Sequence, residues 1–364
     1  MNRRKFAAAA GVGTAGAILG APAIAQQNPE IKWRWVSSFP KTLSSSWPMT
    51  QAFASRVSEL TDGKFQIQLF GPGEIVSPLA VLDAVQTGTV EAGFTATTFY
   101  FGKDPAFAFG TAMPFGLNTR QHSAWMYAGG GLNLLNEFLA GHGAVYVPMG
   151  LTGAQMGGWY RKEIKSVEDL KGLKIRISGM GGQILQRMGA VPQQLAAGDV
   201  YAALERGVLD AVEYTNPVDD EALGLYKVTK FYYYPGWWEG GLQAGNLINK
   251  QKWEALPERY RMAIQVVARE QEQAILNNYD AKNAAALRRL LALGVQLSIF
   301  PRDFMSASYK ATFEYFDELA AKHASFKKIF DNYMAFRADS LLWFRVAEAS
   351  YDNFVQAEFA RVKR

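Results

Sequence analysis

The sequence predicts an α/β protein of two similar lobes, tied together by one long helix and finished by a helical C-terminal third. Three observations predict it: an internal repeat of strand, helix, glycine and strand; an unbroken helical stretch between Pro257 and Leu293; and an aromatic-rich run from Phe304 onward. With 364 residues the chain is long enough for about two domains of roughly 100 to 200 residues. Hydrophobic residues make up 49% and charged residues 20%, an ordinary globular balance that argues against disorder.

The elements follow in order. Residues 1–25 begin with Arg3, Arg4 and Lys5, continue through an Ala/Gly-rich stretch from Phe6 to Ile24, and end in Ala23-Ile24-Ala25, a small-x-small cleavage pattern. They read as an export signal. The Arg3-Arg4 pair and the weakly apolar stretch resemble a twin-arginine signal, with an ordinary secretory signal as the alternative. Both place the remaining chain outside the cytoplasm, in the periplasm. Gly11-Val12-Gly13-Thr14-Ala15-Gly16 spells a dinucleotide-binding fingerprint, but no strand precedes it and it lies ahead of the cleavage site, so the motif is rejected.

The signal also explains the charge. Lys and Arg number 38 against 33 acids, a net of +5; without the three basic residues of the signal, 35 face 33 and the net falls to +2. So small an excess gives no electrostatic reason to expect a nucleic acid. No cysteine is present, which excludes disulfides, thiolate metal sites and a cysteine nucleophile.

The repeat comes next. Gly63–Phe70 and Gly172–Gly179 read as strands. Each is followed by a helical segment, Pro78–Thr87 in one case and Gly198–Arg206 in the other, stopped by Gly88 or Gly207 and succeeded by a short strand. Ala84-Val85-x-x-Gly88-x-Val90-Glu91-Ala92 aligns with Ala203-Leu204-x-x-Gly207-x-Leu209-Asp210-Ala211, 119 residues later. A duplicated α/β unit implies two lobes with a cleft between them. Residues 26–152 form lobe I, to which part of 243–301 returns, and 153–242 form lobe II. Ligands of open parallel sheets sit beyond the carboxyl ends of strands, which selects Phe94-Thr95 and Glu213-Tyr214-Thr215-Asn216. The glycine-rich stretches Tyr146–Gly158 and Gly236–Gly245 read as crossovers or hinges.

The helix expected over 256–294 would be about 55 Å long and would reach across both lobes. The C-terminal helices of 302–364 carry Tyr315, Phe316, Phe326, Phe330, Tyr333, Phe336, Trp343, Phe344, Tyr351, Phe354 and Phe359. Part of this surplus is expected to form a homodimer interface and the rest to pack back on the lobes.

Three runs carry a resemblance: Thr61-Asp62-Gly63-Lys64-Phe65-Gln66-Ile67, Asp169-Leu170-Lys171-Gly172-Leu173-Lys174-Ile175-Arg176, and Leu204-x-x-Gly207-Val208-Leu209-Asp210-Ala211-x-Glu213. Together they resemble the solute-binding proteins of TRAP transporters, the DctP-like family, and most closely the subgroup that binds 2-oxo acids with a metal cation. The resemblance implies a two-lobed periplasmic-binding-protein-like fold with a long helix spanning both lobes and a helical C-terminal extension. It also implies closure around an organic acid such as pyruvate, delivery to the membrane subunits of a TRAP permease, and pairing of Arg176 with the substrate carboxylate.

The residues themselves agree. In the strand Leu173–Ile177 the apolar side chains take one face and leave Lys174, Arg176 and Ser178 on the other. A guanidinium fork holds a carboxylate through two parallel hydrogen bonds, which lysine cannot reproduce. The family's Asn-Pro pair corresponds to Asn216-Pro217, preceded here by a longer segment that puts Glu213 at a strand end. A bare carboxylate there would repel an anionic substrate, and a bound cation would reverse that sign. Glu213, Glu239, the side-chain oxygen of Gln155 and the backbone carbonyl of Tyr214 make an all-oxygen set suited to Na⁺, ranked first, or Ca²⁺. Phe94 and Thr95 are expected to supply an apolar wall and hydrogen bonds from the opposite lobe, with Trp159, Trp237 and Trp238 as further candidates for the cleft lining.

No G-x-S-x-G, H-E-x-x-H or P-loop is present, and His122, His142 and His323 lack metal-ligand spacing. The chain is therefore expected not to be an enzyme. The alternatives are a periplasmic carbohydrate-active or organic-acid enzyme using Glu213 and Glu239 as acid and base, and a sensor without a transport role.

Overall fold

A computed structural model describes residues 29–362, so the export signal expected over 1–25 lies outside the described residues. The described chain opens with β1 (Ile31–Ser37), in which Trp33 and Trp35 are buried while Lys32 and Arg34, alternating with them, are exposed. α1 (Trp47–Leu60), β2 (Phe65–Phe70), α2 (Val81–Gln86), β3 (Ala92–Thr95), α3 (Thr119–Ala128), α4 (Gly131–Ala140) and β4 (Ala144–Leu151) complete the first pass through lobe I. The chain then enters lobe II with β5 (Gly158–Tyr160), β6 (Lys174–Arg176), α5 (Gly179–Arg187), β7 (Val191–Gln193), α6 (Ala197–Glu205), β8 (Ala211–Val212), α7 (Pro217–Leu223) and β9 (Phe231–Tyr234). The last third holds β10 (Gln243–Asn249), α8 (Lys250–Ala255), α9 (Glu258–Ala292), β11 (Gln296–Ile299), α10 (Arg302–Lys322), α11 (Ala324–Phe344) and α12 (Ser350–Val362).

The strands form two sheets, in the orders β2-β1-β3-β10-β4 and β11-β9-β5-β8-β6-β7. In lobe I, β1 is flanked by parallel β2 and β3, and β10 lies antiparallel beside β3. In lobe II, β6 is flanked by parallel β7 and β8, and β5 lies antiparallel beside β8. The duplication is therefore real in space, with one correction to its alignment. The strand Gly63–Phe70 was matched to Gly172–Gly179, yet β6 is a central strand whose counterpart is β1, and the counterpart of β2 is β7. Gly63 and Gly172 introduce their strands with the same left-handed turn, φ 74° and 73°, so local signals look alike where sheet position differs. The second half of the repeat stands as aligned: α2 and α6 each run into a glycine at φ 73°, Gly88 and Gly207, and then into β3 and β8.

The part of 243–301 that returns to lobe I is β10, inserted between β3 and β4, whereas β11 pairs with β9 and belongs to lobe II. Helix α9 spans 35 residues, about 53 Å, and stops before Gly294 at φ 83°. Its N-terminal half buries Tyr260, Ile264 and Val267 among Trp33, Trp35 and Phe53 of lobe I, and its far end buries Leu290 among Val200, Leu204 and Tyr232 of lobe II. It reaches both lobes, as expected from its uninterrupted sequence.

The C-terminal aromatics divide. Phe304, Tyr315, Phe316, Phe326 and Tyr333 are buried in the core that α10 and α11 share with both lobes. Beyond Leu341 the pattern reverses: Leu342, Trp343, Val346, Tyr351 and Phe354 are each more than 60% exposed, and α12 buries none of its described side chains.

Candidate functional site

β6 ends in Arg176, and Ser178 then caps the entry into α5. Lys174 at the outer end of the strand is exposed, but Arg176 is 3% exposed because lobe I closes over it. The guanidinium is held from below: Nε donates to Leu195 O at 3.2 Å, Nη1 donates to Glu213 O at 2.5 Å, and Nη1 lies 3.1 Å from Glu213 Oε2. It sits 5.4 Å over the Tyr214 ring. Among the described residues Nη2 finds no acceptor, which leaves its N–H groups free beside the interlobe cavity.

Both lobes build that cavity. Ser38, Phe39, Leu43, Leu79, Phe94 and Phe99 face it from lobe I; Arg176, Leu195, Glu213 and Tyr214 face it from lobe II; Glu239 and Leu242 come from the second crossover and Tyr279 from α9. The lobes meet at its rim, where Gln194 Nε2 donates to Phe99 O at 3.1 Å. Gly179, at φ 61°, lets the backbone approach Thr98 so closely that a Cβ would lie 1.8 Å from its hydroxyl oxygen.

The electrostatics concentrate on the lobe II wall. Burial and the neighbouring Glu239 push the Glu213 carboxyl well above the usual carboxylate range, against the pull of Arg176. Burial likewise raises Glu239, to about 7, with Arg176 and a hydrogen bond from Gln155 opposing. Two carboxylates with one arginine leave the wall short of positive charge. Gln155 Oε1 is buried without a partner. Among the described residues no group of three or more His, Cys, Asp or Glu is arranged to hold a metal ion by itself, so the donor set at this wall consists of two carboxylates and neutral oxygens. That chemistry fits a hard cation such as Na⁺ or Ca²⁺ and does not fit zinc.

Arg176, Phe94, Tyr214, Glu213 and Glu239 thus line the cavity, and Gln155 stands behind Glu239. Thr95 lies outside the lining, its hydroxyl 2.7 Å from Ser38 Oγ and 3.0 Å from Tyr100 OH within lobe I. Asn216 lies outside the lining; its Nδ2 donates to Thr152 O at 3.1 Å, joining lobe II to the first crossover, and its Oδ1 is buried without a partner. Trp159 lies outside it as well. It stacks on Tyr232 at 4.0 Å inside lobe II and donates to Asp220. Trp237 and Trp238, within the second crossover, are buried in the core and outside the lining.

Sequence reasoning missed Asp219 and its partners. Asp219 lines the cavity and accepts from Ser45 of lobe I at 2.5 Å, Tyr279 of α9 at 2.6 Å and Thr215 at 3.3 Å. Asp220 next to it accepts from Trp159 and Tyr232, and burial pushes it up to about 7. The available signal was Asn216-Pro217 followed by two acids, the pattern of a helix N-terminus.

A scan against family models matches residues 37–323 to the bacterial extracellular solute-binding proteins, family 7, the DctP family. The chain belongs to this family. As a DctP protein it is an extracytoplasmic solute receptor of the TRAP type, not an enzyme, which removes the reading of Glu213 and Glu239 as a catalytic acid and base. Among the described residues no helix is long and apolar enough to cross a membrane. One DctP relative, a monocarboxylate 2-oxoacid-binding periplasmic protein of Nostoc sp., is 47% identical over 329 residues, 90% of each chain. A TRAP solute-binding protein from Bordetella bronchiseptica superposes with a TM-score of 0.90 at 46% identity, covering 92% of this chain and 100% of that one; its structure is a mixed-occupancy dimer with calcium and picolinate in one site and the other apo. Another from Pseudoalteromonas atlantica, with bound sodium and pyruvate, superposes at 0.86 with 31% identity, covering 89% of this chain and 99% of that one.

Proposed function

We propose that this DctP receptor binds a 2-oxo monocarboxylate such as pyruvate in the interlobe cavity and presents it to the membrane subunits of a TRAP permease. One observation carries the reading: the open edge of Arg176 and the carboxylates of Glu213 and Glu239 converge on one buried wall, with an unpartnered Gln155 oxygen behind it. Arg176 would donate from its free Nη2 to the ligand carboxylate, and the contacts to Leu195 O and Glu213 O fix the plane of the guanidinium. Glu213, Glu239, Gln155 and the Tyr214 carbonyl would hold the cation. A bound cation supplies the positive charge that lets an anionic ligand sit beside two carboxylates, and Na⁺ and Ca²⁺ both suit these oxygens. Phe39, Phe94 and Leu79 exclude water from the opposite side, which strengthens the ion pair.

Calorimetry with pyruvate tests the reading. Binding is expected with added Na⁺ or Ca²⁺ and is expected to weaken strongly in chelated, sodium-free buffer; no heat under any cation condition would overturn it. The exposed face of Leu342, Trp343, Val346, Tyr351 and Phe354 supports a homodimer through the C-terminal helices, consistent with the dimer of the Bordetella relative. Truncation after Phe344 is expected to give monomers by light scattering.

A further inference from the structure

The second crossover carries Glu239, and the side of that segment away from the cavity is gripped by the loop Met113–Thr119. Phe115 N donates to Trp237 O at 2.8 Å, and the Phe115 ring stacks on Trp237 at 5.1 Å and 16°. Glycines at 240 and 241 permit the approach: a Cβ would lie 3.0 Å from Leu117 O at one and 2.0 Å from the Thr119 hydroxyl at the other. The loop is held in turn by α11. Arg337 donates from Nε at 3.1 Å and from Nη2 at 2.8 Å to Phe115 O, and Leu117 N donates to the Tyr333 hydroxyl at 2.8 Å. Phe115 itself sits at φ 50°, a conformation that a bulky side chain adopts only when its surroundings impose it.

We propose that Arg337 and Phe115 are positioning residues that set Glu239 for ligand and cation binding, acting from the C-terminal helix through Trp237. The inference rests on the reading of Glu239 as a cation ligand. The physical chain is short. Arg337 fixes the Phe115 carbonyl by a two-pronged, charge-assisted contact, which holds the left-handed backbone that aims the Phe115 N–H and ring at Trp237. Trp237 packs against Trp238 at 5.0 Å, and Glu239 follows directly. Without Arg337 the strained residue is free to relax, and its hydrogen bond and stacking to the crossover are lost together.

The test uses the full chain and four variants: Arg337→Leu, Arg337→Lys, Phe115→Ala, and Ile329→Val as a control buried on the same helix, whose hydrocarbon side chain makes no hydrogen bond to the loop. Hydrogen exchange without ligand is expected to speed up over residues 236–242 in Arg337→Leu and Phe115→Ala, to be partly restored in Arg337→Lys, and to match the parent in Ile329→Val. Pyruvate titrations at stepped Ca²⁺ concentrations are expected to show about a tenfold higher Ca²⁺ requirement in the first two variants, as for loss of one or two charge-assisted hydrogen bonds. Exchange over 236–242 that is unchanged by both variants, or that speeds up equally in the control, overturns the proposal. A parent chain that binds no pyruvate rejects the functional reading instead, and the exchange measurement still decides the positioning role.

Discussion

The two lobes share a backbone plan and differ at matched positions. Val36 pairs with Gly93 in lobe I as Arg176 pairs with Val212 in lobe II, and one residue further on Phe94 corresponds to Glu213. Val36, Phe94, Arg176 and Glu213 are all buried, and the last three face the cavity. Two changes of residue type on one scaffold therefore make one lobe an apolar cover and the other a charged floor. The α/β unit supplies the place, and the side chains at two strand ends supply the chemistry.

The comparison can be broken most severely at Arg176. Arg176→Val copies lobe I into lobe II and is expected to weaken pyruvate binding by about 100-fold or more in calorimetry, since a buried positive charge and its charge-assisted donor Nη2 are lost. Arg176→Lys, which keeps the charge without the fork, should recover only part of this. Glu239→Gln should cost less, about tenfold, and should also flatten the dependence of pyruvate affinity on Ca²⁺ concentration. On the cover side, Phe94→Leu keeps an apolar wall and should change affinity only about threefold, roughly the worth of one buried methylene.

The lobes should also answer pH with opposite signs. Lobe I hides His122, which burial pushes down to about 4; its contribution is complete above about pH 6.5 and is lost as pH falls toward 4. Lobe II hides Asp220, raised to about 7, whose contribution is present at low pH and is lost as pH rises through 7. Hydrogen exchange at pH 5 and pH 8 should therefore show lobe I loosening at the lower value and lobe II at the higher, each by at most about 1.4 kcal/mol per pH unit. The smallest expected effect is symmetrical: Gly88→Ala and Gly207→Ala place a side chain at φ 73° with open space around it, so each should lower stability by about 1 kcal/mol and leave affinity alone.

Features written in consecutive residues were legible. The helix between Pro257 and Gly294 has no internal breaker, and the helix-glycine-strand half of the repeat depends on turn chemistry that is fixed locally. Placement within a sheet is decided by partners far along the chain, which is why β6 was paired with β2 when its counterpart is β1. At the site, the residue type of Arg176 and the surplus acids Glu213 and Glu239 pointed to an anion and a cation. The contacts of Thr95 were invisible, because Ser38 and Tyr100 reach it only through the fold. Asp219 was hidden for the same reason: its partners Ser45 and Tyr279 lie 174 and 60 residues away in sequence.

The insertion of β10 between β3 and β4 has a bearing on how the molecule is made. Until residues 243–249 leave the ribosome, the sheet of lobe I has a gap at its centre, and β3 and β4 each offer a bare hydrogen-bonding edge. Lobe II is likewise unfinished until β11 arrives beside β9. Neither lobe can be completed by the vectorial, domain-by-domain route open to proteins whose domains are continuous in sequence. Cutting the chain at the first crossover would therefore yield an open-edged fragment prone to pairing with other chains.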